Sequence, residues 1–135
     1  MGMEYIGYGQ LTNLIQRKSK NGERFSDIEA SRIMRGIIDA VSYIHDKGIV
    51  HRDLKTANIM VDESTAHLEN PTIKIIDFGF GEKNQQSYDE HMGTLMYMAP
   101  EVALNHEYTK NVDIWALGII MHMLLTGGKH PFYNK

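Results

Sequence analysis

Between residues 26 and 48 the apolar positions fall three and four apart: Ala30, Ile33, Met34, Ile37, Ile38, Val41 and Ile44. That period predicts an amphipathic helix of about five or six turns with one face turned to a core. Ser26, with Glu29 three residues on, forms a capping box at its start. Gly48 predicts a left-handed stop, and Lys47 beside it suits the negative end of the helix dipole. Upstream, residues 3–7 read as a short extended segment ending at Gly7. Gly7 and Gly9 flank Tyr8 and let the backbone turn there. Leu11, Leu14 and Ile15 give a short helical pattern. The polar, basic run 16–24 carries the turn signal Asn21-Gly22 and predicts a solvated loop.

Downstream, Ile59, Met60 and Val61 predict one strand, and Ile73, Lys74, Ile75 and Ile76 a second. The polar stretch between them, closing at Pro71, makes the two a hairpin. Residues 82–91 are polar and predict an exposed surface segment. Residues 112–125 are apolar almost all round, which predicts a helix inside a domain rather than on its surface. Gly127-Gly128 stops it and Pro131 lies beyond. The apolar run 114–125 is too short to span a bilayer and contains His122.

Composition narrows the picture. With 135 residues there is enough chain for one domain with a core. A net charge of −3 argues against nucleic acid or an anionic membrane as partner. Cysteine is absent, which excludes disulfides and thiolate metal sites and fits a cytoplasmic protein. The first residues have neither the basic nor the apolar region of a signal peptide. Met1-Gly2 is followed at position six by Ile6, not the Ser or Thr of a myristoylation start.

The candidate chemistry sits in His51-Arg52-Asp53-Leu54-Lys55-Thr56-Ala57-Asn58. This places a carboxylate, an ammonium and a carboxamide in one short loop. Such a set can take a proton, neutralise a developing phosphate charge and hold a metal ion. The hairpin is expected to fold Asp77 back beside Asn58. The two side chains then offer oxygens to one hard cation of the Mg²⁺ kind. The histidines show no metal-ligand spacing.

That loop, followed by Asp77-Phe78-Gly79 and Ala99-Pro100-Glu101, resembles the eukaryotic protein kinases on their Ser/Thr side. The resemblance implies an α+β fold: the mostly helical C-lobe of a kinase, with a small β-hairpin at the active site. It implies that residues 1–135 are a partial kinase domain, from the hinge to the large central helix, lacking the upper lobe and the last helices. It implies ATP and Mg²⁺ as cofactors and protein substrates as partners. Asp53 is then the base for the substrate hydroxyl, Lys55 neutralises the γ-phosphate, and Asn58 and Asp77 hold the metal. Backbone groups of Glu4 and Ile6 meet the adenine edge, with Gln10 beside them. Met60 forms the pocket floor, with Ile120 and Leu124 beneath. Thr94 bonds the catalytic Asp and Lys. His51 is structural, packed on Phe78 and tethered by Asp113. Arg52 is a regulatory anchor, and Glu90 stands where relatives carry a phosphorylated residue. A built-in carboxylate there competes with a solvated acidic loop in which Ser87 or Tyr88 is modified.

Gln10, Ala57 and Met123 stand where basophilic relatives carry acids, so no strong demand for Arg upstream of the target is expected. Leu95 and Met98 suggest an apolar pocket for the residue after it. The run from Pro71 to Gly79 leans towards the calcium/calmodulin-dependent group, making calmodulin or another regulatory protein a possible partner. The 135 residues alone are expected to be inactive, because half an ATP site binds ATP poorly. The alternatives are a truncated, non-catalytic kinase-like protein acting as a binding or scaffold module, and an unrelated α+β binding domain.

Overall fold

The computed structural model describes residues 7–76, 97–100 and 109–132. Glu4, Ile6, Asp77, Phe78, Ser87, Tyr88, Glu90, Thr94, Leu95 and Glu101 lie outside them, as do residues 3–6 and 82–91. Among the described residues the order is β1 (Tyr8–Gln10), α1 (Leu11–Lys20), α2 (Asp27–Asp46), β2 (Ile59–Asp62), β3 (Ile73–Ile75) and α3 (Asn111–Thr126). Three helices thus accompany one small sheet, an α+β arrangement.

Helix α2 forms as its ends and stripe require. Glu29 N–H donates to Ser26 Oγ at 3.1 Å, and the Glu29 carboxylate accepts from Ser26 N–H at 2.9 Å. Gly48 takes φ of 80° just past the end, where a side chain would be strained. Ala30, Ile33, Met34, Ile37, Val41 and Ile44 are buried. Ile38 is not: it is 48% exposed. It stands one step of about 100° round the helix from Ile37, off the buried stripe. Gly36 lets α2 approach β3 closely, because a Cβ there would stand 2.6 Å from Ile73 Cγ1.

The expected hairpin forms and gains a third strand. The sheet order is β1-β2-β3, both pairings antiparallel. Gln10, Met60 and Lys74 share one cross-strand row. Ile59 and Val61 are fully buried, whereas Met60 between them is half-buried on the opposite face. Residues 8–10, expected to be a loop, are a strand because β2 supplies an edge to pair with. Helix α1 also runs further than expected, to Lys20, with Leu11 and Ile15 buried. Its polar half needs no apolar residues, since it faces solvent, and Arg17, Lys18 and Lys20 suit the C-terminal turn.

Helix α3 departs from a further expectation. Its buried face is Val112, Asp113, Ala116, Leu117, Ile119, Ile120 and Leu124. Ile114 (53%) and Met121 (46%) are exposed, so the helix is not enclosed on all sides by the described residues. Gly127 ends it at φ 74°, and Trp115 stacks on Phe132 with ring centroids 5.8 Å apart. One core joins α1, α2, the inner face of the sheet and α3. None of the described helices is long and apolar enough to cross a membrane.

Candidate active site

The loop after α2 is held from below by one carboxyl group. Asp113 lies in the first turn of α3 and is 1% exposed. Its Oδ2 accepts from His51 N–H at 2.9 Å and from the His45 ring at 2.8 Å. Its Oδ1 accepts from Arg52 N–H at 3.0 Å. Arg52 adopts φ of 75°, the left-handed region a non-glycine residue enters only when its surroundings impose it. The same carboxyl thus fastens the strained backbone and ties α2, through His45, to α3.

His51 is fully buried and acts as a spacer. Its Nδ1 accepts from Asp53 N–H at 3.1 Å, which puts the ring proton on Nε2. From there it donates to the Ile76 carbonyl at 2.8 Å. The ring therefore joins the loop to the end of β3. The expected tether to Asp113 is present, but it runs through the His51 backbone, not its ring.

Above this base stand the three candidate groups. Lys55 Nζ is 3.8 Å from Asp53 Oδ2. Asn58 is buried in the short 3₁₀ turn Thr56–Asn58. Its amide nitrogen donates to the Asp53 carbonyl at 2.7 Å and reaches Asp53 Oδ2 at 3.5 Å. A carboxylate, an ammonium and a carboxamide thus converge. Asp53 and Lys55 keep 17% and 16% of their side-chain surface, enough to meet a ligand. Ile76 N–H donates to the Asn58 carbonyl at 2.9 Å, so the residue before Asp77 is pinned to the residue meant to share its cation. Asp77 itself is outside the described residues, as are Glu4, Ile6, Glu90 and Thr94. Gln10 and Met60 are cross-strand partners, Met60 standing two residues beyond Asn58 in the strand that follows the turn. Met98 and Ala57 are both half-buried.

Sequence reasoning missed a chain of hydroxyls under this turn. Thr12 Oγ1 and Thr56 Oγ1 are 2.6 Å apart, Thr56 Oγ1 and the Tyr97 hydroxyl 3.1 Å, and Tyr97 donates on to Met123 Sδ at 3.5 Å. Burial pushes the Tyr97 phenol above its ordinary 10, against a smaller downward pull from its Thr56 bond. These contacts join α1, the 3₁₀ turn Thr56–Asn58, residue 97 and α3. They carry no local signal, because each residue is a common type and the partners are far apart in sequence. His45 was likewise unremarkable in sequence beyond its place near a helix end.

The geometry agrees with what the chain resembles. The protein kinase domain model matches residues 1–135. Serine/threonine-protein kinase 33 of Bos taurus is 40% identical over 137 residues, covering 96% of this chain and 27% of that protein. Ribosomal protein S6 kinase alpha-4 of Mus musculus is 40% identical over 130 residues, covering 93% and 16%. Calcium-dependent protein kinase 27 of Arabidopsis thaliana is 41% identical over 136 residues, covering 98% and 27%. The chain thus spans between about a sixth and about a quarter of the length of these relatives. It belongs to the protein kinase domain family.

Proposed function

We propose that the protein transfers the γ-phosphate of ATP to serine or threonine hydroxyls of protein substrates. In this reading residues 1–135 are the C-lobe portion of the catalytic domain, and the protein works in the cytoplasm. The observation that carries it is the convergence of Lys55, at 3.8 Å, and Asn58, at 3.5 Å, on the Asp53 carboxylate, on a loop braced by Asp113.

Each residue then has a physical task. Asp53 accepts a hydrogen bond from the substrate hydroxyl, orients its oxygen and takes its proton. Lys55, beside that carboxylate, offsets charge on the phosphoryl group as it moves. Asn58 and Asp77 would hold Mg²⁺. The fit rests on the donor set: a carboxylate oxygen and a carboxamide oxygen are hard ligands, and the Asn58 amide nitrogen is already engaged by Asp53. When bound, that ion neutralises phosphate charge. Met60 and Gln10, paired across the sheet, would line the nucleotide site with the backbone of Glu4 and Ile6. Arg52, Glu90 and Thr94 would order the segment that receives the substrate. Similarity to a calcium-dependent protein kinase supports, at the level of group, a calcium-linked or calmodulin-linked regulator.

The test uses the full-length protein with Mg²⁺, labelled ATP and peptides ending the comparison at Ser, Thr or Tyr. Label is expected on Ser and Thr. Asp53→Asn should lower kcat by about 10²–10⁴ while leaving the melting temperature within a degree or two, since it removes a proton acceptor and little packing. Full activity in that variant, or no transfer to any peptide by the wild type, would sink the assignment.

A further inference from the structure

Of the asparagines in the chain, Asn21 is the one followed by glycine. Such a pair modifies itself when its geometry allows. The Gly22 nitrogen attacks Asn21 Cγ and a new N–C bond forms. The Cγ–Nδ2 bond breaks, and ammonia leaves with the proton that the Gly22 nitrogen has lost. Water then opens the resulting succinimide ring at one of its carbonyls. Opening at Cγ leaves aspartate. Opening at the backbone carbon leaves isoaspartate, whose main chain runs through Cβ and Cγ. Water is consumed, ammonia is released, and nothing is oxidised or reduced. Glycine matters because the attack needs a nitrogen with no side chain crowding it.

The structure presents this pair at the surface. Helix α1 ends at Lys20, and Asn21 and Gly22 are both exposed. The Asn21 carboxamide bonds to no other described residue. A Cβ placed on Gly22 would meet nothing within 4 Å, so no neighbour blocks the approach. Arg17, Lys18 and Lys20 occupy the last turn of α1, and Arg24 follows Glu23. This excess of positive charge favours the anion that forms as the Gly22 nitrogen gives up its proton.

The same turn holds the reaction back. Gly22 N–H donates to the Ser19 carbonyl at 3.0 Å, and Glu23 N–H to the Lys18 carbonyl at 2.7 Å. With Gly22 at φ 73°, these bonds close α1 as a Schellman motif. Asn21 has ψ of 8°, which swings the Gly22 nitrogen towards the Asn21 nitrogen and away from its side chain. Attack therefore waits for the turn to open. Helix ends open at little cost in free energy, so the closed turn slows the reaction without forbidding it.

We propose that Asn21 is a self-modification site, converted to isoaspartate and aspartate at a rate set by the opening of the turn that ends α1. Isoaspartate adds a methylene to the main chain, so Gly22 and Glu23 no longer reach the Ser19 and Lys18 carbonyls together. Either product puts a carboxylate at the negative end of the α1 dipole. The turn rests against the end of α3, where a Cβ on Gly127 would stand 3.6 Å from the Glu23 carbonyl oxygen. Conversion thus loosens the seam between α1 and α3.

The experiment ages the full-length protein at neutral pH and constant temperature, beside a free peptide covering residues 17–26. Mass-spectrometric peptide mapping follows the exchange of NH₂ for OH at each asparagine. Methyl transfer from labelled S-adenosylmethionine by an isoaspartyl methyltransferase counts the isoaspartate. Asn21 should convert before the other asparagines of residues 1–135, chiefly to isoaspartate. Amide hydrogen exchange at Gly22 reads the same opening. Its protection factor should match the slowing of Asn21 relative to the peptide to within about threefold, because both events draw on one opening equilibrium. Protection at Gly22 and Glu23 should fall as the wild type ages. Asn21→Gln, whose longer side chain would need a larger ring, should stay intact and keep its protection. Earlier conversion at another asparagine, or an intact Asn21 long after the peptide has converted, would overturn the site. A slowing that departs from the Gly22 protection would overturn the gate, and an equal loss of protection in Asn21→Gln would overturn the loosened seam.

Discussion

Arg52 is held in a conformation that costs about 1–2 kcal/mol for a residue with a Cβ. It stays there because its N–H, and that of His51, point at a carboxyl group with nowhere else to turn. Asp113→Ala removes both acceptors and the partner of His45 together. Two backbone donors are then left without their acceptor in the interior, and the left-handed turn loses its fastening. The expected cost is about 3–5 kcal/mol, the range for removing one member of a buried polar pair. Asp113→Asn should lose nearly as much, since its NH₂ must face either donors or a ring already donating. Urea unfolding checks this through the midpoint at constant slope. A loss under about 1 kcal/mol for Asp113→Ala would mean that the loop holds itself.

The capping box of α2 gives a pH-dependent test at the scale of one element. The Glu29 carboxyl is held below its ordinary 4.5, first by the Ser26 backbone N–H it accepts, with Lys18 and Arg32 adding to the pull against desolvation. The folded value is the lower one, so the contribution is fully present above 4.5 and is lost as pH falls through the folded value. The side chain is about a third exposed, so solvent screening keeps the contribution to a few tenths of a kcal/mol. The melting temperature of the wild type should exceed that of Glu29→Gln slightly at pH 7, and the gap should close below pH 4.5. A gap that widens on acidification would contradict the assignment. Helix α2 was legible in sequence because its stripe, its cap and its terminal glycine all speak locally. Strand β1 was not, since Gly7 and Gly9 argue for a turn and only the edge of β2 makes residues 8–10 extended. The polar half of α1 gave no apolar signal because it meets water. Helix α3 misled in the other direction: Ile114 and Met121 are as apolar as its buried face, and hydropathy does not say which face is covered. At the site, Asp53, Lys55 and Asn58 could be found because they lie within six residues of one another. The brace from Asp113 to His45, and the path from Thr12 to Met123, exist only once distant elements meet.

At the scale of the whole molecule, the loop of residues 51–58 has no core of its own. It is a bridge between α2, which delivers it, the sheet, to which Asn58 and His51 bind it, and α3, which braces it. These three share one set of buried side chains, with Ile37 from α2, Ile59 and Val61 from β2, and Ile120 and Leu124 from α3 all fully buried. Close-packed interiors do not yield in one place alone, because a void costs contacts on every side that lines it. Ile120→Ala should therefore cost about 2–5 kcal/mol, part transfer energy and part residual cavity. The loss should appear as an equal fall in hydrogen-exchange protection in the middle of α2, in β2 and in α3, because the elements open together. The expected fall is about 30-fold or more in each, the lower end of that range expressed as a ratio. If protection dropped in α3 while α2 and β2 kept theirs, the helix would be an independent unit leaning on the rest. Asp113 would then brace the loop from a movable support. Equal falls would instead make the geometry of Asp53 and Lys55 a property of the whole core, so that core substitutions far from the loop should lower activity in step with stability.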